Sequence, residues 1–363
     1  MYVGNLNLGE KLILAPMAEI TDAPFRKIAK EYGAGLVFTQ MVSADGVNKG
    51  NFTSLRYLTY HSSEKPIGIQ LLGNDPNIIY HSVKKVVKYN PDLIDLNCGC
   101  PVEKVTNHGM GSCILDDSKL LGELVKAMVE ASNGIPVSIK VRLGWNKKNI
   151  NIIENANIAK ENGASLIFVH ARSKDERYET PAHWEWIKKL KENLDIPVVG
   201  NGSVFTPQDA LRMKEETNCD SVMVARGALG NPFVFRRFNT LVEKGEDPGL
   251  PPLPEVQKVA LAHIEMLFKE YDEITALDRA KKNVIWYFKN YPGLANIINN
   301  IFAIRSQEKL IDFVKTHVLT INKNYKSDES LMEYQQKFKK RVIFWLSDGE
   351  TNKKFSKTKL INS

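Results

Sequence analysis

Eight short apolar runs punctuate the first two thirds of the chain: Leu12 to Ala15, Leu36 to Thr39, Ile67 to Leu71, Leu93 to Asn97, Val137 to Val141, Leu166 to His170, Val198 to Gly200 and Ser221 to Ala225. Amphipathic stretches separate them. Asp22 and Pro24 open one that runs through Tyr32 with Phe25, Ile28 and Ala29 on one face, and Asn77 to Tyr89 and Asp117 to Ala131 repeat the pattern. Strand-length runs alternating with helical stretches predict a parallel sheet wrapped by helices. Eight of them over about 230 residues predict a (β/α)₈ TIM barrel, spanning 1–242, rather than an open doubly wound sheet. The absence of a GxGxxG fingerprint after the first run weakens the latter further.

The pattern then changes. The stretch 243–255, EKGEDPGLPPLPE, is broken by prolines and glycines and reads as a linker. Beyond it lie helical stretches without strand alternation, Val256 to Tyr271, Arg279 to Tyr291, Leu294 to Ile304 and Glu308 to Val318, which predict a C-terminal all-α helical bundle over 256–326. The remainder, 327–363, is a helical and basic tail.

Composition adds three limits. With 43% hydrophobic and 25% charged residues the chain is an ordinary globular protein, not a disordered one. Neither a leader pattern nor an apolar stretch of about 18 residues occurs, so a cytoplasmic protein with no membrane partner is expected. Four cysteines are too few for a disulfide framework and are to be judged singly. The net charge of +7 matters because it is clustered: Arg279 to Lys326 holds nine Lys/Arg against two Asp/Glu. That cluster, with Arg279, Lys281 and Lys282 at its start, predicts a polyanionic partner. Nothing in the sequence sets the oligomeric state.

Candidate chemistry centres on Asp92 to Leu115, where an apolar run passes into Asn97-Cys98-Gly99-Cys100-Pro101 and a loop with Gly109 and Gly111. A thiol and an amide are thereby delivered to a strand's carboxyl end, where barrel active sites form. Zinc is the rival reading of Cys98, Cys100, His108 and Cys113, but the C-x-C spacing departs from that of structural sites, and no metal is expected. The other strand ends are also polar. Pro16, Met17 and Ala18 follow the first run, Gln70 lies in the third, Lys140 and Arg142 close the fifth, and His170 and Arg172 the sixth. Buried charges such as Lys140 are costly unless used. The loops Gly200-Asn201-Gly202-Ser203 and Ala225-Arg226-Gly227 follow the last two runs, where barrels hold phosphates.

These residues resemble the flavin-dependent tRNA-dihydrouridine synthases, the bacterial B-type branch above all. The resemblance rests on LAPMAEITDAPFR, LNCGCPVEKVTNHGMG, SIKVRLGW, FVHARSKDERY, VVGNGSVF and VARGALGNPFVF, in that family's order, and on RAKKNVIWYFKNYPG in the helical part. It implies reduction of tRNA uridines to 5,6-dihydrouridine with FMN as cofactor and NADPH as electron source. FMN is then expected against Pro16, Met17, Ala18 and Gln70, with Lys140 and His170 at its polar edge and Asn201, Gly202, Ala225, Arg226 and Gly227 at its phosphate. Cys100 occupies the position of the proton-donating thiol, while Asn97, Arg142 and Arg172 are candidates to hold the base or stabilise charge on it. The chain departs from the family at Cys98, Cys113, Ala171 and Gly200, none of them an expected ligand. Two rivals are weighed: a flavin barrel acting on a free small molecule, disfavoured by the basic helical part, and a non-catalytic RNA-binding barrel, disfavoured by Cys100, Lys140 and His170 together.

Overall fold

The computed structural model describes residues 1–178, 180–289 and 300–316. They fall into two compact units, Met1–Ala228 with Pro232–Pro248, and Leu229–Asn231 with the chain from Gly249 onward.

The first unit is the expected barrel. Its strands are β1 (Ile13–Leu14), β2 (Val37–Phe38), β3 (Ile67–Leu72), β4 (Leu93–Cys98), β5 (Val137–Arg142), β6 (Leu166–His170), β7 (Val198–Asn201) and β8 (Ser221–Val224). All pair in parallel, in the order β1-β8-β7-β6-β5-β4-β3-β2. A bridge between Ile13 and Leu36, with Leu14 N donating to Leu36 O at 2.9 Å, links β1 back to β2 and closes the ring. Closure removes the exposed edges that an open sheet would carry. The helices begin at or within a residue or so of the expected starts, the second as Pro76–Val86 where Asn77 to Tyr89 is expected. Asp22 caps Ala23–Glu31 by accepting from Phe25 N, Asp75 caps Pro76–Val86 from Ile78 N, and Asp117 caps Ser118–Ala131 from Leu120 N.

Side chains alternate across each strand, so every second residue shares a face. Leu93, Leu166, Phe168, Val199, Met223, Ile13, Leu36 and Phe38 form one buried apolar cluster, joined by Val3 and Leu8 from the N-terminal segment. Phe38 and Phe168 meet edge to face at 5.4 Å. Gly68 on β3 makes room for this layer, since a Cβ there would lie 2.3 Å from the Phe38 ring. The positions that follow on the same face, two residues on, are polar on five strands: Gln70, Asp95 then Asn97, Ser138 then Lys140 and Arg142, His170, and Asn201. The interior therefore changes from apolar to polar along the strand direction.

The second unit contains helices Leu253–Glu270, Glu273–Phe288 and Gln307–Thr316. Val256, Ala260, Ile264, Leu267, Ala280, Val284, Phe288, Leu310 and Val314 are buried in it. The first of these helices starts at Leu253, because Pro252 and Pro254 suit the first turn of a helix and end the loop there. The expected helix Leu294 to Ile304 falls mostly, and the tail wholly, outside the described residues. Among the described residues no helix is long and apolar enough to cross a membrane.

Candidate active site

Cys100 lies at the carboxyl end of β4, in the loop Gly99 to Met110. Asn97, the last interior residue of that strand, accepts from Gly99 N at 3.1 Å and from Cys100 N at 2.9 Å through its side-chain oxygen. Its amide nitrogen donates to Gln70 Oε1 at 2.9 Å. Both ends of the Asn97 amide are therefore used inside the protein, organising the loop that carries the thiol. Ser112 N and Oγ both donate to Cys100 O at 3.0 Å, and Gly111 takes a positive φ of 63° where a Cβ would lie 2.7 Å from that oxygen. Only glycine allows so close an approach. Burial pushes the Cys100 thiol up, although Val102, Arg142 and Lys140 act against it, so the group keeps its proton at neutral pH.

The other thiols are placed differently. Cys98 is wholly buried on the outer face of β4, and burial raises its thiol well above the ordinary range; burial also raises the Cys219 thiol. The departure at Cys98 thus puts a second sulfur in sequence next to the loop without putting it in the site. Among the described residues no group of three His, Cys, Asp or Glu is arranged to hold a metal.

Positive charge surrounds this thiol. Lys140 is half-buried between buried strand neighbours, and its ammonium is lowered to about 8, by burial first and Arg142 second, with Asp95 and Cys100 acting in the opposite sense. Arg142 is buried and donates through Nε to Gly99 O at 2.9 Å and through Nη1 to Ser173 O at 2.8 Å, tying the loop after β4 to the loop after β6. Arg172 donates to Thr180 O at 2.8 Å, to Ser203 Oγ at 2.9 Å and to His170 Nε2 at 2.9 Å. A guanidinium only donates, so His170 must accept at Nε2 and carry its proton on Nδ1. Burial and the neighbouring Arg142, Lys140, Arg172 and Arg226 hold that imidazole neutral.

The loop after β6 reaches across this rim. Tyr178 stacks on His170 with ring centroids 6.2 Å apart and planes 19° apart, and the Arg226 guanidinium sits over its ring at 4.6 Å. Glu176 anchors the loop: it accepts from Ser173 N at 2.8 Å and lies 2.7 Å from His183 Nε2. Burial opposes ionisation there, but the bonds from His183 and Ser173 outweigh it and hold the carboxyl down to about 2. Tyr178 lies inside the FVHARSKDERY motif, yet no periodic pattern singles it out, because its partners come from β5, β6 and the turn after β8.

At the other end of the rim, Asn201 donates to Met223 O at 2.7 Å and Trp184 Nε1 to Gly202 O at 2.9 Å. Gly202 has a φ of 120°, and a Cβ there would lie 2.8 Å from Ala182 Cβ and 3.0 Å from His170 Cδ2; a Cβ at Gly227 would lie 2.5 Å from Val204 O, so both glycines are required by the protein's own packing. Pro16 and Met17 are half-buried and Ala18 is exposed; Met17 N donates to Thr21 Oγ1 at 3.0 Å. Gln70, Asn97, Cys100, Lys140, Arg142, His170 and Arg172 are thus linked through contacts or charge at one end of the barrel. Asp95 and Ser138, beneath them, are polar residues that reading strand ends alone misses.

Arg279, Lys281 and Lys282 belong to the second unit. Arg279 sits over the Tyr271 ring at 4.4 Å, Lys282 pairs with Asp278 at 2.6 Å, and Lys281 is buried and donates to Phe302 O at 3.3 Å. Trp286, Tyr287 and Phe288 are buried in that unit's core rather than displayed as stacking platforms.

A family model for dihydrouridine synthase (Dus) matches residues 13–326. The chain is 36% identical over 292 residues to tRNA-dihydrouridine synthase B of Pseudomonas aeruginosa, covering 80% of this chain and 87% of that protein. It is 32% identical over 328 residues to a probable tRNA-dihydrouridine synthase of Rickettsia conorii, covering 88% and 98%. Among solved structures, histamine dehydrogenase from Rhizobium sp. 4-9 aligns with a TM-score of 0.51 at 16% identity over 70% of this chain and 49% of that one, a likeness of fold alone. With the family's match covering the barrel from β1 onward, and relatives above 30% identity aligned over most of both lengths, the chain belongs to the dihydrouridine synthase family.

Proposed function

We propose that this protein is a tRNA-dihydrouridine synthase that uses FMN, reduced by NADPH, to convert uridines in tRNA to 5,6-dihydrouridine, with Cys100 as proton donor. The observation that carries the reading is the Cys100 thiol: protonated, held at the barrel's carboxyl end by Asn97, and faced by Lys140 and Arg142.

The donor set suits a flavin. Arg226, in the turn that follows β8 and beside the loop after β7, offers a guanidinium for a phosphate group. Lys140, the neutral Nδ1–H of His170 and the Gln70 amide supply donors and charge suited to a ring system that becomes negative on reduction. When bound, reduced FMN supplies a hydride to C6 of the uracil ring.

The chain's own residues then have defined tasks. Hydride addition leaves enolate-like charge over C5 and O4. The Cys100 S–H bond breaks as its proton passes to C5, and the thiolate so formed is stabilised by Lys140 and Arg142. Asn97 keeps the loop in register, and Arg142 ties it to the loop bearing Tyr178. The target base must leave its stack to enter a barrel mouth, which costs least for loop nucleotides. The basic helical part, with Arg279 and Lys282, supplies contacts to the tRNA backbone. A purified sample is expected to show flavin absorbance and, with NADPH and unmodified tRNA, to form dihydrouridine detected by mass spectrometry of nucleosides. A flavin-free protein that still modifies tRNA would refute the cofactor, and a flavoprotein that leaves tRNA unchanged would refute the substrate.

A further inference from the structure

Beneath the thiol loop runs a chain of hydrogen bonds whose direction is fixed at its upper end. The backbone N–H groups of Gly99 and Cys100 can only donate, so the Asn97 oxygen must face them, as it does at 3.1 and 2.9 Å. Asn97 Nδ2 is then turned toward Gln70 and can only donate, so Gln70 must present Oε1, at 2.9 Å. That turns Gln70 Nε2 downward, where it donates to Asp95 Oδ2 at 2.7 Å. Asp95 is wholly buried, and its other oxygen accepts from Ser138 Oγ at 2.6 Å. Each amide has two orientations of similar shape and opposite polarity, and reversing one forces donor against donor at the next joint.

We propose that Asp95 is a positioning residue: the acceptor it places below Gln70 completes the relay whose direction the Gly99 and Cys100 N–H groups demand, and thereby holds the Cys100 loop in its working register. The catalytic consequence rests on the proposed role of Cys100, but the relay itself does not.

A buried carboxylate is costly to keep, and an apolar residue would serve the barrel core better. Without an acceptor below it, Gln70 Nε2 is left buried and unpaired, and the flip that relieves it would turn the Asn97 nitrogen toward the Cys100 N–H. Asp95 needs to accept toward Gln70, whereas toward Ser138 it can accept or donate, because a hydroxyl does both. The isosteric amide can meet the same demands, Oδ1 toward Gln70 and Nδ2 toward Ser138, without the charge. Orientation and charge are therefore separable by mutation.

The test compares Asp95→Ala and Asp95→Asn in the FMN-loaded protein by two readouts. In peptide-resolved hydrogen exchange, the segment holding the Gly99 and Cys100 amides should exchange at least tenfold faster in Asp95→Ala and within threefold of wild type in Asp95→Asn. In anaerobic single turnover with pre-reduced flavin, uridine reduction should slow by about 10- to 100-fold in Asp95→Ala and recover to within fivefold in Asp95→Asn. Equal loss in both variants would assign Asp95 an electrostatic role instead, and no change in either would remove the role altogether; both outcomes overturn the proposal. If Asp95→Ala does not fold, neutron diffraction on the wild-type protein decides, since Gln70 deuterons directed away from Asp95 refute the relay. Faster exchange in Asp95→Ala with unchanged turnover would leave the relay standing, and only the link to Cys100 would fail.

Discussion

Replacing Cys100 by alanine tests the proposed chemistry most directly, because the structure isolates this thiol from the other three. Cys98 is adjacent in sequence but has no exposed surface, Cys219 is buried next to β8, and Cys113 belongs to the turn Gly111–Asp116. Cys98 closes β4 on its outer, buried face, and neither Cys113 nor Cys219 lies in the turn after β4 where Cys100 does. Removing a positioned general acid costs about 10²- to 10⁴-fold in rate, which at about 1.4 kcal/mol per decade corresponds to roughly 3 to 5.5 kcal/mol of barrier. The measurement is single-turnover dihydrouridine formation with pre-reduced flavin under anaerobic conditions, beside a stopped-flow record of flavin reduction by NADPH. The first should fall by the stated factor and the second should hold within about threefold. The raised thiol adds a sign: Cys100 remains the proton-donating species through neutral pH, so its loss as an acid should begin only above its ordinary range near 9. Turnover near wild type in the variant, with Cys98 intact, would refute the assignment, and loss of flavin reduction as well would show that the variant had damaged the site at large.

Arg226→Ala should weaken FMN retention by about 1.5 to 3 kcal/mol, the range for a hydrogen bond to a charged group, read by equilibrium dialysis of the released flavin. Because Lys140 is lowered to about 8, any step needing its positive charge should decline from about that pH upward, and Lys140→Arg should move the decline to more alkaline values in the single-turnover profile. Glu176→Gln should loosen the loop after β6, speeding trypsin cleavage after the exposed Arg177 by about tenfold or more, since it removes charge-assisted bonds to Ser173 and His183. Combined Arg279→Ala and Lys282→Ala substitutions should weaken tRNA binding and reduce the magnitude of the log–log salt slope by roughly 0.7 to 0.9 for each phosphate that is no longer neutralised; an unchanged slope would remove these residues from the interface.

The barrel was legible because its signal is local. Eight apolar runs with capped helices between them need only short-range reading, and Asp22 and Asp117 cap where their sequence positions suggest. The strand-end rule likewise found Gln70, Asn97, Lys140, His170 and Asn201, all on interior positions. It could not find Asp95 or Ser138, because both lie within the runs and their partnership crosses from β4 to β5, a register no single sequence displays. Tyr178 escaped for the same reason, its ring contacts coming from β5, β6 and the turn after β8. In the helical unit the aromatic residues among basic ones allowed two readings, and burial decides for core at Trp286, Tyr287 and Phe288. Periodicity could not decide, since an amphipathic helix with wide apolar coverage looks much the same from sequence whether its aromatics face a core or a ligand.

The same alternation explains how one barrel interior serves both stability and chemistry. Its first layers are apolar and closely packed, and they hold the strand ends rigid. One step further along each strand, Asp95, Ser138 and Gln70 replace that packing with hydrogen bonds whose polarity has a direction, and only the next step reaches Asn97, Lys140 and His170. Packing alone can fix where an amide lies but not which way it faces, because its oxygen and nitrogen ends have nearly the same shape. The Gly99 and Cys100 N–H groups demand the facing, and a buried acceptor below Gln70 completes it. Burial raises Asp95 to about 7, even though Gln70, Ser138 and Lys140 favour its ionised form. The sign follows from that shift: between the ordinary carboxylate range and about pH 7 the folded protein binds a proton that the unfolded chain has released, so Asp95 makes folding less favourable as pH rises through that window. The site thus retains a group that opposes stability at neutral pH, at the position where the relay ends on an acceptor.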